Sequence, residues 1–200
     1  MNTSRLRSTF TALVFAVAST AASAAGWTSV NADASGNFSV TYEGGAVDTL
    51  NIQPVSTLVN PVMFFTPNLT PQNADNIATQ IEDQFNLAAG TLNFVASCDV
   101  GGSCTGGGSS SGSTGTFTAN TTTPFDYLAI HLGQGELFFH WSSGITQAIL
   151  SGIDVHGVSN FRAYSAIPLP GAFVLFLSAI GFFGMLRRRF FGPAQNPAIA

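Results

Sequence analysis

The chain contains no lysine, and its six basic residues are all arginines. Five of them, Arg5, Arg7, Arg187, Arg188 and Arg189, sit near the two ends, which leaves Arg162 as the one cation between residues 26 and 165. That same segment holds all ten carboxylates, from Asp33 to Asp154, and carries a formal charge of −9. So acidic a segment has no basic patch to meet phosphates, which argues against nucleic acid as a partner. The missing lysine also rules out a phosphate loop, which ends Gly-Lys-Ser/Thr. Cysteine is scarce too: Cys98 and Cys104 have no histidine within twenty residues, too few ligands for a zinc site. No Asp-x-Asp-x-Asp-Gly calcium loop occurs. The carboxylates are scattered, with only Glu82 and Asp83 adjacent, so nothing marks the acid pair of a glycosidase. No cofactor is implied, and the expectation is a protein that is not an enzyme.

What is present begins at the ends. Arg5 and Arg7 precede an apolar run over residues 10–18, and small residues follow through Ala25. This is the layout of a secretory signal peptide over residues 1–25, read by Sec-type export machinery. Ala22-Ser23-Ala24 and Ser23-Ala24-Ala25 both satisfy the small-residue cleavage rule, so cleavage falls after Ala24 or Ala25. The alternative, a retained N-terminal anchor, needs a longer apolar run to cross a bilayer.

At the other end stands Ser165-Ala166-Ile167-Pro168-Leu169-Pro170, then sixteen uncharged residues from Gly171 to Leu186, then Arg187-Arg188-Arg189. Counted from Ile167 the uncharged stretch reaches twenty residues, about the span of a hydrocarbon core. A basic cluster stays on the cytoplasmic side. The expected layout is an exported domain over 26–165 and a C-terminal signal over 166–189. Within that signal a membrane helix occupies about 170–186, and residues 190–200 form a cytoplasmic tail.

The order Pro-Leu-Pro, apolar helix and triple arginine resembles a PEP-CTERM sorting domain, in the variant that opens Val-Pro-Leu-Pro-Ala. Here Ile167 stands for the first valine and Gly171 for the alanine, and an eleven-residue tail follows the arginines. The resemblance covers about 25 residues. It implies a Gram-negative, exopolysaccharide-producing host and recognition by an exosortase, a membrane-embedded cysteine protease or transpeptidase. It also implies that Ile167, Pro168, Leu169, Pro170 and Arg187, Arg188 and Arg189 are the residues read. A membrane-anchored precursor would then pass to the cell surface or the extracellular matrix.

The exported segment reads as β. Residues 37–43 alternate strictly, with Phe38, Val40 and Tyr42 on one face, as in a half-buried antiparallel strand. Residues 55–66 are rich in β-branched and aromatic side chains, with Pro61 marking a bend or an edge. Residues 91–96, 116–120 and 159–165 are further strands.

The strongest hairpin joins 126–132 to 135–141 through Gly133-Gln134, a two-residue turn with glycine first. This register sets Leu132 opposite Gly135, His131 opposite Glu136 and Tyr127 opposite His140. It gathers Leu128, Ile130, Leu137, Phe139 and Trp141 on one face, and a slip of one residue would scramble that set.

One helix interrupts the strands: Thr70 as cap, Pro71 in the first turn, then Ala74, Ile77, Ala78, Ile81, Phe85 and Ala88 at helical spacing until Gly90. Residues 101–115 are nearly all Gly, Ser and Thr, which predicts a flexible loop. Export into an oxidising space makes a Cys98–Cys104 disulfide the expected state, and loop entropy for so small a ring is worth roughly 2 kcal/mol. The expected architecture is an antiparallel β-sandwich, jelly-roll-like, with one short amphipathic helix.

Three histidines remain as candidates for chemistry. His131 facing Glu136 makes a cross-strand pair worth a fraction of a kcal/mol, and lies too far from His140 to share a metal. His156, in Asp154-Val155-His156, is a weak metal motif. The aromatics Trp27, Tyr42, Phe138, Trp141 and Tyr164 either pack a core or stack on sugar rings. The leading expectation is therefore a structural surface or matrix protein, with exopolysaccharide as a partner. A carbohydrate-binding sandwich stands second, with Phe138 as an exposed stacking residue, and a secreted hydrolase third.

Overall fold

The computed structural model describes residues 26–167, so the signal peptide with Ala24 and Ala25, the motif from Pro168 onward, the apolar run and Arg187, Arg188 and Arg189 lie outside the described residues. In chain order the elements are β1 (Gly26–Val30), β2 (Asn37–Thr41), β3 (Val47–Gln53), β4 (Leu58–Thr66), α1 (Ala74–Gln84), β5 (Leu92–Asp99), β6 (Cys104–Thr105), β7 (Ser109–Ser111), β8 (Gly115–Leu132), β9 (Gly135–Ile153) and β10 (Val158–Ala166). The fold is mainly β, one antiparallel sheet with one short helix. Among the described residues no helix is long and apolar enough to cross a membrane.

The hairpin is the spine of the fold. Its inner pairs, from Tyr127 with His140 to Leu132 with Gly135, adopt the expected register. Its strands run on far beyond the turn, to 18 and 19 residues. Register shifts around Phe125 divide them into two halves. Pro124, which has no N–H to give a ladder, lies at this break.

The half beside the turn pairs β9 with β4 and β8 with β10, and β1, β5 and β6 extend it to the order β1-β4-β9-β8-β10-β5-β6. The far half pairs β9 with β3 and β8 with β7, and β2 lies outside β3. Pro61 marks a bend rather than an edge. β4 is paired on both sides, and its ladder to β9 is interrupted between Val59 and Met63.

Side chains from the two halves meet in one core. Phe38, Val40, Leu50 and Ile52 come from the far half, and Phe64, Leu128, Ile130, Leu137, Phe139 and Trp141 from the turn half. Phe38 meets Phe139 edge-on at 5.9 Å, and Trp141 meets Phe125 at 5.9 Å. Each such side chain contributes about 1.5–3 kcal/mol on leaving water. A core enclosed between two parts of one folded sheet is consistent with a β-sandwich.

A second, smaller core lies on the outward face of the turn half. Ile77 and Ile81 of α1 cover Tyr127, Ala129, Phe138 and Tyr164 there. The helix starts later than Thr70 and Pro71 suggest. Asn73 is the cap, its Oδ1 accepting from the Asn76 N–H at 2.8 Å, because residues 70–72 lead in and Gln72 turns toward His131. It also ends before Ala88. Asn86 takes φ +53, and the Leu87 and Asn86 N–H groups return to the carbonyls of Glu82 and Asp83, closing the last turn without glycine. The buried Glu82 carboxylate then accepts from the N–H groups of Gly90 and Leu92, fixing the exit into β5.

Residues 101–115, expected as a flexible loop, instead carry β6 and β7, paired to β5 and β8. Here the glycines serve close backbone approach. A Cβ on Gly106, at φ +66, would run into the Val95 carbonyl oxygen, and one on Gly112 into that of Thr116. Cys98 and Cys104 face each other across β5 and β6 and form the disulfide.

Candidate functional site

Each histidine sits in a separate setting. His131 Nδ1 lies 2.9 Å from Glu136 Oε2, the pairing the hairpin register predicts. The pair is buried, with Glu136 wholly enclosed and its Oε1 without a hydrogen-bond partner among the described residues. The reason is the segment leading to α1, which closes over it. Gln72 places its amide 2.9 Å from His131 Nδ1, Thr66 Oγ1 donates to the Gln134 carbonyl, and Asn68 Nδ2 donates to that of Gly133. Removing one partner of such a buried pair costs about 3–5 kcal/mol, far more than the fraction expected on an exposed face.

His140 lies flat on Tyr127, with centroids 4.4 Å apart and planes 2° from parallel, and meets Phe85 at 5.7 Å. Burial pushes its pKa down, while the nearby Asp126 charge pulls the other way. Burial likewise raises the pKa of the Tyr127 phenol.

His156 packs edge-on against Tyr42 at 4.7 Å. The Tyr42 hydroxyl donates to Asp48 Oδ2 at 2.8 Å, and Asp48 Oδ1 accepts from the Val155 and Asp154 N–H groups. Burial and the Asp48 carboxylate raise the Tyr42 pKa. Asp48 thus pins the end of β9 to β3, a structural role, and Asp154 contributes its backbone N–H to this pin. Among the described residues no three His, Cys, Asp or Glu side chains converge as a metal site would require.

The aromatics proposed for sugar stacking are absorbed by packing. Tyr42, Phe138, Trp141 and Tyr164 are buried, and Trp27 leans half-buried on Phe65 and Phe138 at 5.1 and 4.8 Å. Phe138, expected to be exposed, is covered because α1 roofs its face. Among the described residues the exposed large aromatic is Phe94, 43% exposed on β5. The sequence gives no warning of this, since Phe94 falls within an ordinary strand pattern.

Of the sorting residues the structure describes Ile167 alone, and it defines how the chain leaves the domain. β10 lies between β8 and β5, and its last residues are tied down. Asp126 Oδ2 accepts from the Ala166 N–H at 3.0 Å, the Ile167 N–H donates to the Thr91 carbonyl at 2.7 Å, and the Tyr164 hydroxyl donates to the Ala74 carbonyl at 2.8 Å. Ile167 itself is 40% exposed. Order therefore persists to the residue before Pro168. Asp126 lies forty residues upstream of Ala166, so no local signal announces this tie. Comparisons with protein-family models, with curated proteins and with solved structures found no match.

Proposed function

We propose that the chain is an exported, non-enzymatic protein of the cell surface or extracellular matrix, delivered by the signal at residues 1–25 and sorted by an exosortase acting on residues 166–189. The observation that carries this reading is the sequence Ile167-Pro168-Leu169-Pro170, uncharged run and triple arginine, placed directly after a strand tied at its last residues. A strand tied to its last residues lets the domain stay folded when the motif that follows in sequence is processed. The core between the two halves of the sheet supports a sandwich of the jelly-roll-like kind, and the oxidised Cys98–Cys104 pair suits a domain that works outside the cytoplasm.

The test is to delete the host exosortase and follow the protein by mass and fractionation. The expected product is a precursor that keeps Arg187, Arg188 and Arg189 and stays in the inner membrane. A mass and location unchanged by the deletion would overturn the proposal.

A further inference from the structure

Among the described residues nothing roofs the outward face of the far half of the sheet. Alternation along its strands points Phe38, Leu50, Ile52 and Leu150 into the core, and sends Ser, Thr, Asn and Gln outward. One row across four strands reads Asn37, Asn51, Ser151, Thr116. The outward positions of these strands carry no charge, in a segment where ten carboxylates face one arginine. Within this face lies a groove of about 220 Å³ lined by Gln53, Pro54, Gln147 and Ile149.

The groove is built. Gln53 pairs with Ile149 across β3 and β9, and Gln147 lies one outward position further along β9. Gln53 Nε2 donates to the Ser35 carbonyl at 3.0 Å and to Asn51 Oδ1 at 3.2 Å. Gln147 Nε2 donates to Asn120 Oδ1 at 2.7 Å. Both amides are thus fixed through their nitrogens, and their carbonyl oxygens remain as acceptors, so little freedom is lost when a donor arrives. Pro54 is held through its carbonyl, which accepts from Trp141 Nε1 at 2.8 Å. Asp33, two residues before Ser35, is occupied by the N–H groups of Ser35 and Asn37 and held below its ordinary pKa mainly by the Asn37 backbone bond.

We propose that this groove and the uncharged rows around it bind a neutral polysaccharide strand. A pyranose ring has apolar C–H faces and a rim of hydroxyl donors, which suits Pro54 and Ile149 within the groove and amide oxygens beside them. The volume lies below the ~300–1,000 Å³ of sites that enclose drug-sized ligands, so it takes one ring at a time. Weak contacts repeated along a strand by the Ser and Thr rows then add up. An anionic polymer is disfavoured by the charge of −9, and no arginine or lysine on this face answers a carboxylate or sulfate. This site replaces Phe138 as the sugar contact and does not depend on how the chain is exported or sorted.

The test is native affinity electrophoresis of the full chain in a zwitterionic, sugar-free detergent, through gels cast with dextran, hydroxyethylcellulose, galactomannan or alginate. Retardation is expected in at least one neutral gel and not in alginate. Gln53→Ala with Gln147→Ala is expected to weaken binding about tenfold or more, and Gln147→Ala alone, at an exposed position, about fivefold with an unchanged melting temperature. No retardation in any neutral gel overturns the proposal, as do equal retardation in alginate and binding indifferent to Gln147→Ala. Sedimentation that depends on concentration and is relieved by these substitutions would make the face a contact between two copies, and also overturns it.

Discussion

The two halves of the β8–β9 hairpin share the same strands and fare differently outside the core. Beside the turn both faces are buried: Leu128, Leu137 and Phe139 point inward, while Tyr127, Ala129 and Phe138 point outward beneath α1. Beyond the break at Phe125, the inward set of Phe117, Ala119, Ala148 and Leu150 is buried, and the outward set of Thr118, Asn120, Gln147 and Ile149 meets solvent at least in part. An antiparallel strand leaves a face open when its outward residues can keep water bound, and needs a roof when they cannot. The helix is that roof, and the far half, with no roof among the described residues, has an outer face that is mostly polar and uncharged.

Substitutions can break this contrast. The largest effect should come from the shared core: Phe139→Ala is expected to cost about 3–5 kcal/mol in denaturant unfolding, because the cavity opens between both halves. A loss below about 1 kcal/mol would mean that the halves do not depend on one another. Next comes the roof. Ile77→Ala should cost about 2 kcal/mol, the low end for a buried isoleucine because an 11-residue helix can settle, whereas Thr118→Ala in the open face should stay within about 0.5 kcal/mol. Equal costs at the two sites would erase the distinction.

The smallest effect is a pH dependence at the rim of the roof. The folded pKa of His140 lies below its unfolded value of about 6.5, so its contribution is full above that pH and is lost as pH falls toward the folded value. Replacing His140 with Gln should flatten melting temperature against pH over that acidic window, and an identical slope in the variant would discount the burial of the ring.

The same contrast explains what could be read in advance. The register of the hairpin was legible because its residues alternate and one turn, Gly133-Gln134, fixes the pairing. That its second face is covered was not, since periodicity states which residues share a face and not what lies above them. Phe138 was misplaced on the surface, and the His131–Glu136 pair undervalued, for this one reason. In residues 101–115 glycine content suggested freedom where it permits tight backbone contact. The helix end escaped because Asn86 took the left-handed position usually held by glycine. The groove was beyond reach altogether, since Gln53 and Gln147 are brought together only by the pairing of β3 with β9.

The tied end of β10 has a mechanical consequence. Tension applied at Ile167 runs along a strand flanked by β8 and β5, so both ladders, together with the bonds from Ala166 to Asp126 and from Ile167 to Thr91, share the force from the outset. They are loaded in shear and must give way together, rather than peeling one after another as at a sheet edge. A domain pulled through this end yields only when the whole strand slides.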